Sequence, residues 1–183
     1  VTGPRNARGE RYLLTYGYDT EVSTYVTSII DSFNLSSTAG YDVRFGELTQ
    51  QVDVAGNCTV RQLDDFGRLK AHYGPKDVSR ECGTQGAPTV AVEYFAKEAV
   101  PYAVTKHKLP HEGGGLSNGR PTLDTVVFFD GVGRLLQTKK SAQALLRAGR
   151  EAVGYSASGH LGFDSMGRVA SVGQATFSAA PLG

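Results

Sequence analysis

The side chains best suited to hold a transition metal are four histidines and two cysteines. They are His72, His107, His111, His160, Cys58 and Cys82. His107 and His111 have the spacing of two ligands on one face of a helix, but Pro110 between them is incompatible with a helix. The sequence contains no Cys-x-x-Cys pair. It therefore favours histidines on surface loops, and no metal or cofactor is predicted.

The motifs for nucleophilic, phosphate-binding and acid–base chemistry are incomplete. The segment Gly154-Tyr-Ser-Ala-Ser158 lacks the final glycine of a hydrolase nucleophile elbow. Gly131-Val-Gly133 lacks the third glycine of a dinucleotide-binding loop, and no Gly-Lys-Ser or Gly-Lys-Thr is present. Asp64, Asp65 and Glu93 are candidate carboxylates for glycoside hydrolysis, but a sequence does not fix their separation. We predict that the chain is not an enzyme, and the paired-carboxylate alternative stays open.

Length, charge and composition exclude several classes of protein. The 183 residues suffice for one domain or two small ones, and the net charge of +1 argues against a nucleic-acid partner. The basic cluster of Lys139, Lys140, Arg147 and Arg150 is best interpreted as a solvated face. No apolar run suits a membrane span, and no signal peptide is in view. Because residue 1 is Val and the only Met is Met166, we expect a processed product or a piece of a longer chain.

A short repeat, Asp followed by two residues and then Gly or Asn, organises the chain. The aspartates at 31, 42, 53 and 64 stand 11 residues apart, and one copy is longer by a residue. Asp bonds to nearby backbone N–H groups, and Gly or Asn accepts the positive φ of a three-residue hairpin connection. The pattern therefore predicts strands joined by tight turns. The predicted turn residues are Asp31, Asn34, Asp42, Gly46, Asp53, Gly56, Asp64, Gly67, Asp130, Gly133, Asp164 and Gly167.

Three copies of the repeat continue into an arginine and an apolar residue. The arginines are Arg68, Arg134 and Arg168, each directly after the turn glycine. Leu63, Phe129 and Phe163 precede these copies and are expected to pack on the sheet. Each arginine can reach back to the aspartate of its own turn, which fixes register and neutralises charge. We predict that these residues are structural, with a catalytic Asp/Arg role as the minor alternative.

The repeat sets the predicted architecture, which is all-β with one short helix. Alternating patterns predict strands at 11–18, 22–30, 36–43, 47–53, 68–73, 89–95 and 123–129. Residues 75–88 and 110–121 are expected to be loops, and 141–152 a helix capped by Ser141. The expected organisation is a flexible segment at 1–10, a sheet over 11–178 and a tail at 179–183. Cys58 and Cys82 are equally compatible with a disulfide and with two unpaired residues.

These motifs, in their order, resemble the YD repeat of the Rhs family. The closer resemblance is to the B component of the bacterial insecticidal Tc toxin complexes, over about residues 11–178. It rests on Tyr41-Asp-Val-Arg-Phe-Gly46, Asp65-Phe-Gly-Arg-Leu69, Phe129-Asp-Gly-Val-Gly-Arg-Leu-Leu-Gln-Thr-Lys-Lys140 and Phe163-Asp-Ser-Met-Gly-Arg-Val169. Among these copies of the repeat the tyrosine of the YD pair is kept only at Tyr41, and the family's autoproteolytic aspartate motif is not found.

The resemblance implies a fold, a role and partners. In that family the repeats form a curved sheet that spirals into a hollow shell around a toxic cargo. It follows that this chain would be a non-catalytic segment of such a shell. Its partners would be other segments of the same long toxin protein and the enclosed cargo. Its location would be secreted or extracellular, as part of a larger bacterial toxin.

A carbohydrate-binding β module is the main alternative. Tyrosines are dense near the start of the sequence, and aromatic rings exposed on a sheet are suited to bind a glycan. The simpler interpretation is that these rings pack on the sheet. The tyrosines concerned are Tyr12, Tyr16, Tyr18, Tyr25 and Tyr41.

Overall fold

The computed structural model describes residues 9, 13–109, 122–145 and 151–181. Within these ranges every regular element is a strand, and the pairs are antiparallel. The all-β antiparallel fold class is thereby confirmed. The strands are β1 Leu14–Tyr18, β2 Val26–Asp31, β3 Ser36–Asp42, β4 Glu47–Val52, β5 Cys58–Leu63, β6 Leu69–Tyr73, β7 Val90–Phe95, β8 Tyr102–Lys108, β9 Thr122–Phe129, β10 Leu135–Leu145, β11 Glu151–Ala157, β12 Leu161–Phe163, β13 Val169–Val172 and β14 Thr176–Ser178.

The chain divides into two units, Val1–Thr89 and Val90–Gly183. In the first unit β1 to β6 lie side by side in chain order, each strand paired with the next. Such a meander places successive turns at opposite ends of the strands. Every second turn therefore lies at the same end of the sheet.

The core of the first unit surrounds a disulfide. Cys58, Ala71, Tyr73 and Val78 are buried together, and the partly buried Cys82 packs against them. The Cα atoms of Cys58 and Cys82 are 5.7 Å apart, and their sulfurs are bonded. This settles the question that the sequence left open. The bond ties β5 to the segment at 75–88, where an isolated bridge joins Val78 and Thr84.

The second unit contains a six-stranded sheet and a separate hairpin. The sheet order is β7-β8-β9-β10-β11-β14, and β12 pairs with β13. Val126 is 1% exposed and is its most deeply buried large side chain in the described ranges. Aromatic rings form a stack, with centroids 4.5 Å apart for Phe95 and Tyr102 and 5.6 Å apart for Tyr102 and Phe128. The sequence placed Lys139 on a solvated face, but Lys139 is buried, with its Nζ 5.6 Å from the Phe128 centroid.

The predicted helix at 141–152 is wrong. Residues 141–145 complete β10 and residues 151–152 begin β11, while residues 146–150 lie outside the described ranges. Ser141, the expected cap, pairs with Tyr155, and its Oγ accepts a hydrogen bond from the N–H of Asp124 at 3.0 Å. Residues 141–145 pair with β11, and this strand ladder outweighs the high helix propensity of Ala and Leu.

Other expectations fall outside the described part of the chain. The loop predicted at 110–121 lies there, as does most of the segment at 1–10. Within the described ranges, no helix has the length and apolar character that spanning a membrane needs.

Val126→Ala tests the packing of the second unit. Removing two buried methyl groups should lower the free energy of unfolding by about 2 kcal/mol, because transfer and cavity terms add. Val132→Ala is the matched control, since Val132 is 78% exposed. It should change the stability by less than about 0.5 kcal/mol in the same denaturant titration. Equal effects of the two substitutions would contradict the assignment of Val126 to the core.

Candidate functional site: the aspartate turns

The most regular feature of the molecule is a set of hairpin connections, which we call the aspartate turns. They begin at Asp31, Asp42, Asp53, Asp64, Asp130 and Asp164. The Asp64 turn illustrates the pattern. The N–H of Asp64 donates to the carbonyl of Arg68 at 2.8 Å, and the N–H of Gly67 donates to the carbonyl of Asp64 at 3.0 Å. The side-chain Oδ1 accepts the N–H groups of Phe66 and Arg68, both at 2.9 Å.

The same bonds recur in the other turns. Oδ1 of Asp31, Asp53, Asp130 and Asp164 accepts the N–H groups two and four residues later. The Asp42 turn is one residue longer, and there Gly46 donates to the carbonyl of Asp42 at 2.8 Å. The turn ends on a residue in the left-handed region, where glycine is favoured. The φ values are 63° at Asn34, 70° at Gly46, 80° at Gly56 and Gly67, 83° at Gly133 and 79° at Gly167.

The second carboxylate oxygen binds a side chain of the same turn. The Nε atoms of Arg68, Arg134 and Arg168 donate to Oδ2 of their turn aspartates at 2.7, 2.5 and 2.8 Å. Nδ2 of Asn57 donates to Oδ2 of Asp53 at 2.9 Å. In the Asp42 turn, Arg44 binds both carboxylate oxygens. Both oxygens of these carboxylates are therefore engaged in holding their own turns.

These bonds favour the ionised carboxylates. The hydrogen bond from Arg44 lowers the pKa of Asp42, and that from Asn57 lowers the pKa of Asp53. The backbone N–H of Arg168 and its side chain lower the pKa of Asp164. Desolvation acts to raise the pKa values of Asp64 and Asp130. The bonds from Arg68 and Arg134 outweigh it, and both pKa values are lowered.

Three of the turns also receive a side chain from an earlier turn. A Cβ built on Gly67 would lie 2.5 Å from Cγ of Phe45, which belongs to the preceding turn at the same end of the sheet. A Cβ on Gly46 would lie 2.8 Å from the hydroxyl of Tyr25. Glycine is thus needed there both for its positive φ and for the close approach of an aromatic residue. We call these approaches the cross-turn contacts.

The third cross-turn contact lies in the second unit and uses an arginine. Nη1 of Arg134 would be 2.9 Å from a Cβ on Gly167. The same guanidinium lies 4.2 Å from the ring centroid of Phe163. Its charge also lowers the pKa of Asp164. Arg134 therefore joins the Asp130 turn to the Asp164 turn.

Sequence reasoning missed a turn at Asp19. Its Oδ1 accepts the N–H groups of Glu21, Val22 and Ser23 at 3.1, 2.6 and 3.0 Å. Its Oδ2 accepts those of Thr24 and Tyr25 at 2.8 and 2.7 Å. These backbone bonds hold the pKa of Asp19 far below its usual range. Asp19 stands 12 residues before Asp31, close to the period, but no Gly or Asn follows it at the expected distance.

A second missed turn runs from Ser79 to Gly83. Ser79 donates its N–H to the carbonyl of Gly83 at 2.8 Å, and Cys82 donates to the carbonyl of Ser79 at 3.0 Å. Oγ of Ser79 accepts the N–H of Gly83 at 3.0 Å. Cys82 has a φ of 61°. The two backbone bonds match those of an aspartate turn, but a serine hydroxyl takes the place of the carboxylate and Cys the place of Gly, so the repeat motif gave no signal for it.

The other candidate residues lie at scattered places. His72 is in β6 and His107 in β8, whereas His111 lies outside the described ranges. Among the described residues, no three His, Cys, Asp or Glu side chains form a group that would hold a metal. Glu93 is paired with Nζ of Lys106 at 2.6 Å. His160 borders a groove of about 510 Å³, whose lining includes Tyr102, Phe128 and Lys139.

Four of the five tyrosines of the glycan alternative lie in the described ranges, and they form two pairs with different surroundings. Tyr16 and Tyr18 in β1 are 48% and 53% exposed. Tyr25 and Tyr41 instead stack on each other with ring centroids 5.0 Å apart. The latter pair belongs to the framework that holds the Asp42 turn, and Tyr12 lies outside the described ranges.

Comparisons with known proteins add to this geometry. No known protein-family model and no curated protein matches the chain. A crystal structure of TcdB2-TccC3 is similar to this chain, with a TM-score of 0.64. The two sequences are 20% identical, and the match covers 90% of this chain and 10% of the TcdB2-TccC3 chain. The chain has the fold of a TcdB2-TccC3 segment. The predicted resemblance to the Tc toxin shell is thus confirmed at the level of the fold.

Two further TcdB2-TccC3-type structures agree. One lacks the hypervariable C-terminal region and gives a TM-score of 0.66 at 16% identity, over 90% of this chain and 12% of its own. The other is a Photorhabdus luminescens Tc holotoxin pore with a TccC3 mutation. It gives a TM-score of 0.64 at 16% identity, over 90% of this chain and 12% of its own. The chain spans about a tenth of the length of the TcdB2-TccC3 chains.

Gly67→Ala and Gly56→Ala should differ in their effects on stability. Both glycines have a φ of 80°, but a Cβ on Gly56 would meet nothing within 4 Å. Gly56→Ala should cost about 1–2 kcal/mol for the left-handed backbone alone. Gly67→Ala should cost about 1–3 kcal/mol more, because Phe45 must move. Denaturant titration measures both.

Phe45→Ala separates the two causes of the Gly67 effect. In that background the extra cost of Gly67→Ala over Gly56→Ala should disappear, because nothing remains to be displaced. An unchanged difference would contradict the cross-turn contact.

Acid should destabilise the fold through the turn aspartates. The folded pKa values of Asp42, Asp53, Asp64, Asp130 and Asp164 lie below the unfolded value of about 3.9. Their stabilisation is therefore complete above that value and is lost as the pH falls through the folded pKa values. The aspartates should therefore contribute no change between pH 7 and about 5 and a steady fall in the free energy of unfolding towards pH 2. His72, whose pKa is lowered by burial, adds a loss that begins as the pH falls below the unfolded histidine value of about 6.5.

Asp64→Asn and Asp65→Asn form a matched pair for this dependence. Asp64→Asn should reduce stability at pH 7 and flatten the acid slope, because it removes the ion pair with Arg68. Asp65 is the exposed second residue of the same turn. Asp65→Asn should therefore show the same acid slope as the unsubstituted protein. A steeper slope for Asp64→Asn would refute the assignment.

Proposed function

We propose that this chain is a non-catalytic structural segment of a Rhs/Tc-type toxin shell, and that the shell encloses a toxic cargo. The observation that carries the proposal is that the charged groups and glycines of the repeat are engaged in structural contacts. The aspartate turns consume both oxygens of most of their carboxylates, and three of the turn glycines receive side chains from earlier turns. Repeated contacts of this kind build a wall from one element after another.

The comparisons support this role at the level of the fold. The matching structures are TcdB2-TccC3 chains, one of them in a Tc holotoxin pore. We infer that the sheet is curved as part of a shell, and that its partners are other segments of the same long protein and the cargo. The Cys58–Cys82 disulfide supports a secreted location, because disulfides persist in oxidising compartments.

A glycan-binding module is the second candidate, on the single observation that Tyr16 and Tyr18 are exposed on β1. The sheet tyrosines Tyr25 and Tyr41 do not favour it, because they pack on each other. The two proposals differ in the effect of Tyr16→Ala combined with Tyr18→Ala. A glycan module would lose binding on a glycan array, whereas a shell segment would show no array binding before or after the change.

Protection of the cargo tests the enclosing role directly. The full-length protein that carries this segment is treated with a protease, and the survival of its cargo region is followed over time. Gly67→Ala should increase the rate of cargo digestion, because displacing Phe45 opens the contact between two turns of the wall. Gly56→Ala is the control with the same backbone strain and no displaced neighbour.

Two results would contradict the proposal. One is a cargo region digested equally fast in the unsubstituted protein and in the isolated cargo, which would mean that nothing encloses it. The other is a cargo digestion rate that is the same in Gly67→Ala, in Gly56→Ala and in the unsubstituted protein, although Gly67→Ala has measurably lost stability.

A further inference from the structure

The segment at 75–88, which we call the latch loop, is fastened to the first unit at two places. At one place, Oγ1 of Thr89 accepts the N–H of Gly74 at 2.7 Å and donates to Oδ2 of Asp77 at 2.5 Å. Asp77 is 9% exposed, and its carbonyl accepts the N–H of Gln85 at 2.8 Å. At the other place, the Cys58–Cys82 disulfide joins the Ser79 turn, near the middle of the loop, to β5.

The disulfide end of the loop has an unfavourable backbone. Cys82 occupies the turn position where the aspartate turns have Gly or Asn, with a φ of 61°. An L residue with a side chain is disfavoured in this region. The Ser79 turn also lacks the carboxylate that binds two N–H groups in an aspartate turn. The covalent bond to Cys58 therefore maintains a turn that its own residues support poorly.

The loop covers the core of the first unit. Val78 of the loop is 9% exposed and packs with Cys58, Ala71 and Tyr73, which are 4%, 6% and 8% exposed. Movement of the loop would uncover these side chains. The bond that holds the weak turn thus also holds the cover of the core.

We propose that the Cys58–Cys82 disulfide is a redox-sensitive latch, whose reduction opens the latch loop and leaves the strands in place. The inference goes beyond the shell role and does not depend on it. The strands are held by backbone ladders and by the aspartate turns, none of which uses a cysteine side chain. Cys58 takes part in the β4–β5 ladder as the partner of Val52. Only the Ser79 turn of the loop depends on the bond.

The opening reaction is thiol–disulfide exchange with an external dithiol. A thiolate of the dithiol attacks Sγ of Cys82, which is more exposed than Cys58. The S–S bond breaks, and Sγ of Cys58 leaves with the electron pair as a thiolate. The second thiolate of the dithiol attacks the mixed disulfide, forms a cyclic disulfide and releases Cys82. Two electrons pass from the dithiol to the protein, and both cysteine thiolates take up protons.

Hydrogen–deuterium exchange with and without dithiothreitol tests the latch on the intact chain. Reduction should speed amide exchange in residues 78–86 at least tenfold, while the amides of β8 and β9 change by less than twofold. Unchanged protection of the loop after complete reduction would overturn the proposal. Unfolding of the whole chain would overturn it as well, because the bond would then be a general staple and not a local latch.

Cys82→Gly and Cys82→Ser separate the bond from the backbone. Both remove the disulfide, but glycine is favoured at a φ of 61° and serine is not. Both should exchange faster in the loop than the oxidised protein and fail to respond to dithiothreitol, with Cys82→Ser the faster of the two. If the loop amides of Cys82→Gly exchange as slowly as those of the oxidised protein, a favourable turn residue alone is enough to hold the loop. The disulfide would then not be a latch, and the proposal would be refuted.

Discussion

The hydrogen bonds from backbone N–H groups to an aspartate side chain are the interaction on which this structure depends. A tight turn leaves N–H groups that no strand partner can reach, and a carboxylate at its first position accepts two of them. The turn is thereby fixed by a residue within it and does not wait for distant contacts. Because each turn fixes where the next strand begins, the register of the whole meander follows from these local bonds.

The second level of the structure is built on the turns and not on the strands. Once a turn has its left-handed glycine, the backbone there is bare, and a ring or guanidinium from an earlier turn can lie on it. Tyr25, Phe45 and Arg134 use this space in the same manner although their chemistry differs. A thin sheet buries few side chains completely, so contacts between turns provide cohesion that a thick core provides in other proteins.

Local chemistry was predictable from the sequence, whereas non-local pairing was not. The spacing of Asp31, Asp42, Asp53 and Asp64 predicted strands and turns because each turn is held by its own residues. The segment at 141–145 was mistaken for a helix because its state is decided by its pairing with β11, which no pattern within the segment reveals. Asp19 was missed because no Gly or Asn follows it at the expected distance, and Ser79 because a hydroxyl there takes the place of the carboxylate. The pairing of Cys58 with Cys82 depends on how a loop folds over β5.

The cross-turn contacts of the first unit join turns at the same end of the sheet, two repeats apart. The gain or loss of a single strand between two such turns would place them at opposite ends, and the aromatic residue would lose its glycine. A gain or loss of two strands would keep the two ends in step. A sheet held in this way can therefore lengthen or shorten there in the course of evolution only by whole hairpins, so its size changes in steps of about 22 residues, twice the 11-residue spacing of its aspartates.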